Sequence, residues 1–159
     1  MRIRGRVWAL VGIGVVVLAL IAGLAFAERV WQEDAAAGFY EAPDPLPSGD
    51  PGEIIAVERI LTAPPGANAW RVMYHSRDLN GDDIAVSGTV IAPAGPAPEG
   101  GRPIVSWAHP TTGAVARCAP SIGIAPLDLV EGLETLLGAG YVVAATDYLG
   151  YGASDFGYH

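Results

Sequence analysis

The chain has 159 residues, with 17 acidic and 9 basic side chains and a formal net charge of −8 at pH 7. This acidic balance argues against nucleic acid as a partner, because binding to phosphates requires clustered Lys and Arg side chains. Since 51% of the residues are hydrophobic, the chain is long and apolar enough to form one modest folded domain.

Residues 1–27 are predicted to be a targeting segment. Three arginines precede an uncharged run from Val7 to Ala27, which as a helix covers the roughly 30 Å of a bilayer core. The small residues Ala25 and Ala27 also fit a signal-peptide cleavage site. A cleaved signal peptide and an uncleaved signal anchor both remain open. Either one exports the rest of the chain, so we expect a secreted or cell-envelope protein, anchored in the membrane through residues 7–27 if the leader is not cleaved.

Residues 28–52 are predicted to form a Pro-rich acidic linker. Prolines recur there at close spacing, at Pro43, Pro45, Pro47 and Pro51. Proline at such positions forbids a regular helix and favours an extended, poorly packed chain. The folded domain is therefore expected in residues 53–159.

The first half of this domain predicts antiparallel strands. An apolar run from Glu53 to Ala63 indicates a first strand, and alternation from Trp70 to Arg77 indicates a half-buried second strand with His75 on its polar face. Asn80-Gly81 marks a tight reversal into a third strand from Ile84 to Ala92. Together they predict a meander ending in a hairpin.

The second half predicts a parallel strand–helix–strand unit. The continuous apolar runs Pro103–Ala108 and Tyr141–Thr146 are typical of strands covered on both faces. Between them, Leu127–Leu137 has apolar residues at helical spacing, with Gly138 as a stop signal. An antiparallel meander leading into such a unit predicts an α/β fold, and it is how the α/β-hydrolase sheet begins.

A long loop, His109–Ala125, follows the first parallel strand, at the sheet edge where loops are often functional. This loop and the end of the chain carry three motifs: Trp107-Ala108-His109-Pro110-Thr111-Thr112-Gly113, then Cys118-Ala119-Pro120-Ser121, then Thr146-Asp147-Tyr148 with Gly150 and Gly152. In their order and spacing the chain resembles the secretory lipase family of α/β-hydrolases from about Phe39 to His159, although family members commonly have Gly where Pro110 stands. The resemblance implies an incomplete α/β-hydrolase fold and hydrolysis of a lipid or small ester, often an acylglycerol, by a Ser nucleophile with Asp and His partners and no cofactor.

None of these three catalytic residues has a matching position in the chain. Ser154 fails the G-x-S-x-G elbow because Phe156 stands where Gly is needed, and no helix follows it. His109 precedes the expected nucleophile, whereas the base of this fold follows it, so we expect His109 to order its loop through one ring nitrogen. The chain ends at His159 before an elbow appears, and we expect it to be inactive by itself.

The oxyanion site is the one chemical element that remains. In this fold, one backbone N–H that stabilises the developing charge comes from the loop after the third core strand. This places the donor at Thr111 or Thr112, since Pro110 has no N–H. Asp147 ends its strand, and we expect its carboxylate to order the following loop by accepting backbone N–H groups.

Cys118 is the single cysteine of the chain. In an exported protein it is either a small buried residue or one half of a disulfide whose partner lies beyond His159. The acidic turn Asp78–Asp83 superficially resembles a calcium loop but lacks its sixth-position Gly and twelfth-position acid, where Asp83 and Thr89 stand. No metal site is predicted.

Two alternatives to an ester hydrolase remain open. The first is a non-catalytic, membrane-anchored binding or structural module that ends at His159. It faces the difficulty that the apolar strand from Tyr141 is expected near an open sheet edge, where such surface aggregates. The second is a peptidase of the same superfamily.

Overall fold

The computed structural model describes residues 12–27, 38–113, 115–123 and 126–153. The chain divides into two compact units, Met1–Ala35 and Ala36–His159. In the first unit, residues 12–27 form a helix, α1, with exposed side chains. Within the described residues, no helix is both long enough and apolar enough to cross a membrane. Residues 7–11 of the expected apolar segment lie outside the described residues, so the function of the leader stays a prediction.

The second unit is built on a five-stranded mixed sheet with the strand order β1-β2-β3-β5-β4. The strands are β1 (Ile54–Ile60), β2 (Ala67–Arg77), β3 (Asp83–Pro93), β4 (Ile104–Ala108) and β5 (Val142–Thr146). The pairs β1–β2, β2–β3 and β3–β5 are antiparallel, whereas β4 and β5 are parallel. The predicted meander and the predicted parallel unit are both confirmed.

The β2–β3 hairpin forms where the turn residues predicted it. Its register runs without a break from Ala67 opposite Pro93 to Arg77 opposite Asp83. Gly81 has a φ of +88°, which the turn requires. The Asp78 carboxylate accepts hydrogen bonds from the backbone N–H groups of Asn80 and Asp82, at 2.8 and 2.9 Å. The acidic residues of this turn therefore have a structural explanation.

The face of β2 that carries His75 is buried, which differs from the expected half-buried strand. His75 is 5% exposed and Met73 is fully enclosed. Residues 38–52 cover this face, since a Cβ at Gly49 would lie 2.4 Å from the His75 ring. The apolar side chains around Met73 include Phe39, Tyr40, Ala42 and Leu46. Residues 38–52 thus pack on the sheet instead of forming a loose linker, because they supply apolar side chains both ahead of the first proline and, at Leu46, between two prolines.

The opposite face of the sheet carries the larger core. Its buried members are Ile60, Ala69, Ile91, Leu127, Val130, Leu133 and Val143. The helix α2 covers only Leu133–Gly138, shorter than the predicted Leu127–Leu137. Gly132 precedes it with a φ of +73°, a left-handed conformation that interrupts a helix. Leu127 and Val130 contact the core from turns instead. These two apolar residues are therefore buried as predicted, although the backbone there is not helical.

The strand β4 lies at the edge of the sheet, and β5 lies between β3 and β4. The Tyr141–Thr146 strand, expected near an open edge, is thus the neighbour of the edge strand. Burial alternates along β4, with Ile104 71% exposed while Trp107 packs on the core. The prediction that both faces of β4 are covered is therefore wrong among the described residues, which cover one face of this strand.

Gly88 is predicted to be essential for the β3–β5 pairing. A Cβ at this position would lie 2.5 Å from the Ala145 carbonyl oxygen and 3.0 Å from the Thr146 Cα, both backbone atoms. We expect Gly88→Ala to destabilise the chain by about 1–3 kcal/mol, as other overpacked cores are. The control is Gly138→Ala in α2, where a Cβ meets no atom within 4 Å. Urea unfolding followed by Trp fluorescence measures both, and equal midpoints for the two variants would contradict the prediction.

Candidate active site

The parallel pairing of β4 and β5 brings two loops together, because the carboxyl ends of neighbouring parallel strands meet at one edge of the sheet. The ring of His109, directly after β4, stacks on Tyr148, after β5, with centroids 4.0 Å apart. The Tyr148 hydroxyl donates to the His109 carbonyl oxygen at 3.0 Å. Tyr151 meets the same ring edge-on at 5.7 Å. The two tyrosines hold the start of the loop against the sheet.

His109 itself is buried and 5% exposed. Its Nδ1 lies 2.6 Å from the carbonyl oxygen of Pro110. A carbonyl oxygen only accepts, so Nδ1 carries the proton in this bond. Its Nε2 is buried with no hydrogen-bond partner among the described residues. The ring therefore contacts its own loop through one nitrogen.

The residues after Thr111 form a fixed turn. The Thr112 hydroxyl donates to the Cys118 carbonyl oxygen at 2.8 Å, and the Tyr151 hydroxyl donates to the carbonyl oxygen of Gly113. Gly113 has a φ of +144°, and a Cβ there would lie 2.3 Å from the Cys118 sulfur. Glycine is therefore required at position 113. Cys118 is a free thiol, and its predicted disulfide stays a prediction.

Two backbone donors at this turn have no partner in the described part of the chain. Neither the N–H of Thr111 nor the N–H of Thr112 donates a hydrogen bond to a described residue. Thr111 is exposed and Thr112 is half-buried. Backbone N–H groups in a held turn can accept no proton and carry no charge, but they can stabilise a negative oxygen that approaches them.

Asp147 is the centre of a buried polar network and is 1% exposed. Its carboxylate accepts hydrogen bonds from the Ser87 hydroxyl at 2.6 Å, the Ser121 N–H at 3.1 Å and the Ser121 hydroxyl. These partners lie on β3 and in the 3-10 turn Pro120–Ile122. The sequence predicted that this carboxylate accepts backbone N–H groups of the loop that follows Asp147, whereas the backbone N–H that it accepts among the described residues is that of Ser121, ahead of β5. Ser87 links Asp147 to the loop after β5, because its hydroxyl donates to the carboxylate and accepts from the Ala153 N–H at 3.4 Å.

Tyr40 and Arg71 extend this network toward β1. The Tyr40 and Ser121 hydroxyls are 2.7 Å apart, and Arg71 donates from Nε to the Ser121 carbonyl oxygen at 3.1 Å. The Arg71 guanidinium also pairs with Glu58 at 2.6 Å and lies 5.6 Å from the centroid of the Tyr40 ring. Burial raises the pKa of the Tyr40 hydroxyl, and the hydrogen bond with Ser121 and the Arg71 charge only partly oppose it.

The sequence did not identify Ser87, Tyr40 or Arg71 as part of this site. Ser87 reads as one more residue of an alternating strand, and Arg71 is on the strand face that was expected to be polar. Ser121 lies in one of the motifs that carry the family resemblance, and this was the one sequence signal that pointed to a member of the Asp147 network. Tyr40 is separated from Ser121 by 81 positions, and no local pattern reports such a contact.

No nucleophile–base pair is assembled in the part of the chain that the structure describes. His75 bonds to Asp83 at 3.1 Å, on the hairpin turn, and His109 bonds to Pro110. Ser154 and His159 lie outside the described residues. Within those residues, no group of three or more His, Cys, Asp or Glu side chains is placed to hold a metal ion.

The chain has the fold of the first part of an α/β-hydrolase. Among solved structures it is similar to lipase A from Candida antarctica in its closed state, with a TM-score of 0.59 and 24% identity over 72% of this chain. It is also similar to the rice cell wall degrading esterase LipA from Xanthomonas oryzae, with a TM-score of 0.56 and 23% identity over 70% of this chain.

These similarities confirm the incomplete α/β-hydrolase fold predicted from the sequence. The chain covers 30% of the Candida lipase and 32% of the Xanthomonas esterase. No protein-family model and no curated protein matches the chain. The similarity therefore concerns the fold of most of this chain and about a third of each enzyme.

Tyr40 is predicted to make stability depend on pH in the alkaline range. Its pKa in the folded chain is raised above the ordinary value of 10.0, so the folded state keeps a proton that the unfolded state loses. Its contribution is fully present below about pH 10 and declines as the pH rises further. We expect Tyr40→Phe to flatten this decline in unfolding midpoints measured between about pH 8 and 11. The control is Tyr141→Phe, and a decline that persists unchanged in Tyr40→Phe would refute the assignment.

Proposed function

We propose that the chain is the N-terminal part of an exported lipase or carboxylesterase that hydrolyses carboxylic esters, acylglycerols among them, through a serine acyl-enzyme. The observation that carries this proposal is the pair of N–H groups at Thr111 and Thr112, after the carboxyl end of β4, which have no acceptor among the described residues. The lipase and the esterase that share this fold support it.

The chemistry of ester hydrolysis explains what such a turn contributes. Attack on the ester carbonyl moves negative charge onto its oxygen, and preorganised N–H groups lower the barrier by meeting that charge. The turn is held on three sides, by Cys118, Tyr151 and the stacked His109. The donors therefore need little reorganisation when a substrate arrives. The Ser nucleophile, its Asp and its His lie outside this chain in the proposal.

The proposal includes export and the state of Cys118. The arginines and the apolar run from Val7 to Ala27 serve as a signal peptide or as an anchor in the membrane. In the oxidising environment outside the cell, Cys118 pairs with a cysteine of the remaining domain. Its sulfur faces Gly113 in the oxyanion turn, so this disulfide would brace the turn directly.

The backbone donor at Thr111 is testable by removing its hydrogen. In the longer protein that supplies a G-x-S-x-G serine, we expect Thr111→Pro to lower kcat by about 100-fold or more, the usual loss of one oxyanion donor. Thr111→Ala is the matched control, because it removes the side chain and keeps the N–H. Hydrolysis rates of nitrophenyl butyrate measure both. If the two variants lose the same activity, the N–H at position 111 is not an oxyanion donor.

The chain by itself is predicted to be inactive on esters. We expect the purified chain to show no turnover of short-chain nitrophenyl esters above the rate in buffer, because no described serine hydroxyl is hydrogen-bonded to a His ring. The same coding sequence, read past His159, is expected to encode an in-frame G-x-S-x-G followed by Asp and His. Turnover that disappears in Ser154→Ala would show that the elbow was misjudged.

A further inference from the structure

We propose that His109 is a positioning residue that holds the Thr111 N–H pointing away from the buried ring, and so favours Thr111 over Thr112 as the oxyanion donor. This inference rests on the proposed function for the role of that donor. The orientation itself rests on one hydrogen bond and on the planarity of one peptide.

The hydrogen bond is the one between His109 Nδ1 and the Pro110 carbonyl oxygen, at 2.6 Å. That carbonyl and the N–H of Thr111 belong to the same peptide unit. The described cis peptide is Asp44-Pro45, so the unit between Pro110 and Thr111 is trans. In a planar trans peptide the C=O and N–H bonds point in opposite directions. A bond that holds the Pro110 oxygen against the buried ring therefore holds the Thr111 N–H away from it.

The ring can act as an anchor because it is itself fixed. It stacks on Tyr148 at 4.0 Å with the planes 22° apart and meets Tyr151 edge-on. Tyr148 also donates to the His109 carbonyl oxygen at 3.0 Å. Both the ring and the backbone of His109 are thus tied to the loop after β5. A peptide flip at Pro110 would break its bond to Nδ1 and leave a second buried ring nitrogen without a partner.

The next peptide unit, between Thr111 and Thr112, has no such anchor. Within the described residues, the carbonyl oxygen of Thr111 accepts no hydrogen bond, and the Thr112 N–H donates none. Preorganisation favours the donor whose direction is already set. The structure assigns that property to Thr111, which is also the more exposed of the two threonines.

The test uses nuclear magnetic resonance on the whole ¹⁵N- and ¹³C-labelled chain with three forms of position 109. Wild type is expected to show a protonated Nδ1 and a correlation through the hydrogen bond to the Pro110 carbonyl carbon. His109→Phe keeps an aromatic ring against Tyr148 and removes the donor. His109→Asn removes the ring and places a side-chain N–H near the position of Nδ1, so it is the rescue variant. Unchanged amide resonances of β2 and β3 show that each variant is folded.

We expect the Thr111 amide resonance to shift and broaden in His109→Phe, and to return toward its wild-type position in His109→Asn. A Thr111 resonance that stays in place in His109→Phe, or an unprotonated Nδ1 in wild type, would overturn the positioning role. A resonance in His109→Asn that resembles His109→Phe would overturn it as well, because stacking and not the donor would then hold the turn.

A titration with butylphosphonate separates this inference from the proposed function. Its anionic oxygens stand in for the charged oxygen of the acyl-transfer intermediate. We expect the phosphonate to move the Thr111 amide resonance in wild type. Its apparent affinity is expected to fall by up to about tenfold in His109→Phe, as for loss of one hydrogen bond to a charged group. If the Thr111 resonance depends on His109 but never responds to phosphonate, the orientation holds and the oxyanion function fails.

Discussion

The buried carboxylate of Asp147 is the constraint on which the rest of the site depends. A carboxylate enclosed by protein needs donors for its oxygens, since an unsatisfied buried polar group is costly. Ser87 and Ser121 supply them, one from β3 and one from the turn that follows Cys118. Satisfying one side chain therefore fixes how the long loop crosses the sheet. Because Thr112 bonds to the Cys118 carbonyl, the same requirement extends to the turn at Thr111 and Thr112.

A second layer of order comes from aromatic contacts at the end of the parallel strands. His109 follows β4 and Tyr148 follows β5. Because these two strands pair, the stacked rings hold the two following loops against each other. The turn is thus held both by polar contacts, through Thr112 and Cys118, and by the stacked rings at its start. Between them lie two N–H groups that face no described acceptor. In the proposed function these N–H groups stabilise the charge of the reacting oxygen, and the nucleophile that creates this charge lies outside the described residues.

Local chemistry explains which features the sequence predicted. Asn80-Gly81 specifies a hairpin, and apolar runs specify strands, because both depend on residues close together in the chain. The burial of His75 depends on Gly49, and the partner of Ser121 is Tyr40, contacts that local patterns do not encode. Strand order predicted where the loop after β4 lies, whereas it did not predict the buried hydroxyls of Ser87, Ser121 and Tyr40 that support this loop. Gly132 shortened α2 because apolar spacing alone does not reveal a left-handed residue.

The insertion of β5 between β3 and β4 also sets the order in which the sheet can be built. The three strands of the meander pair with neighbours in sequence, and they are complete once Pro93 has been synthesised. β3 then has to keep its free side open until Val142–Thr146 emerges, because Gly88–Ile91 pairs with Val143–Thr146. Long-range pairing of this kind is slow, and an unpaired strand edge attracts other chains. During synthesis the edge of β3 therefore stays exposed while the loop that carries Thr111 and Thr112 is made, and it is open to mispairing until β5 follows.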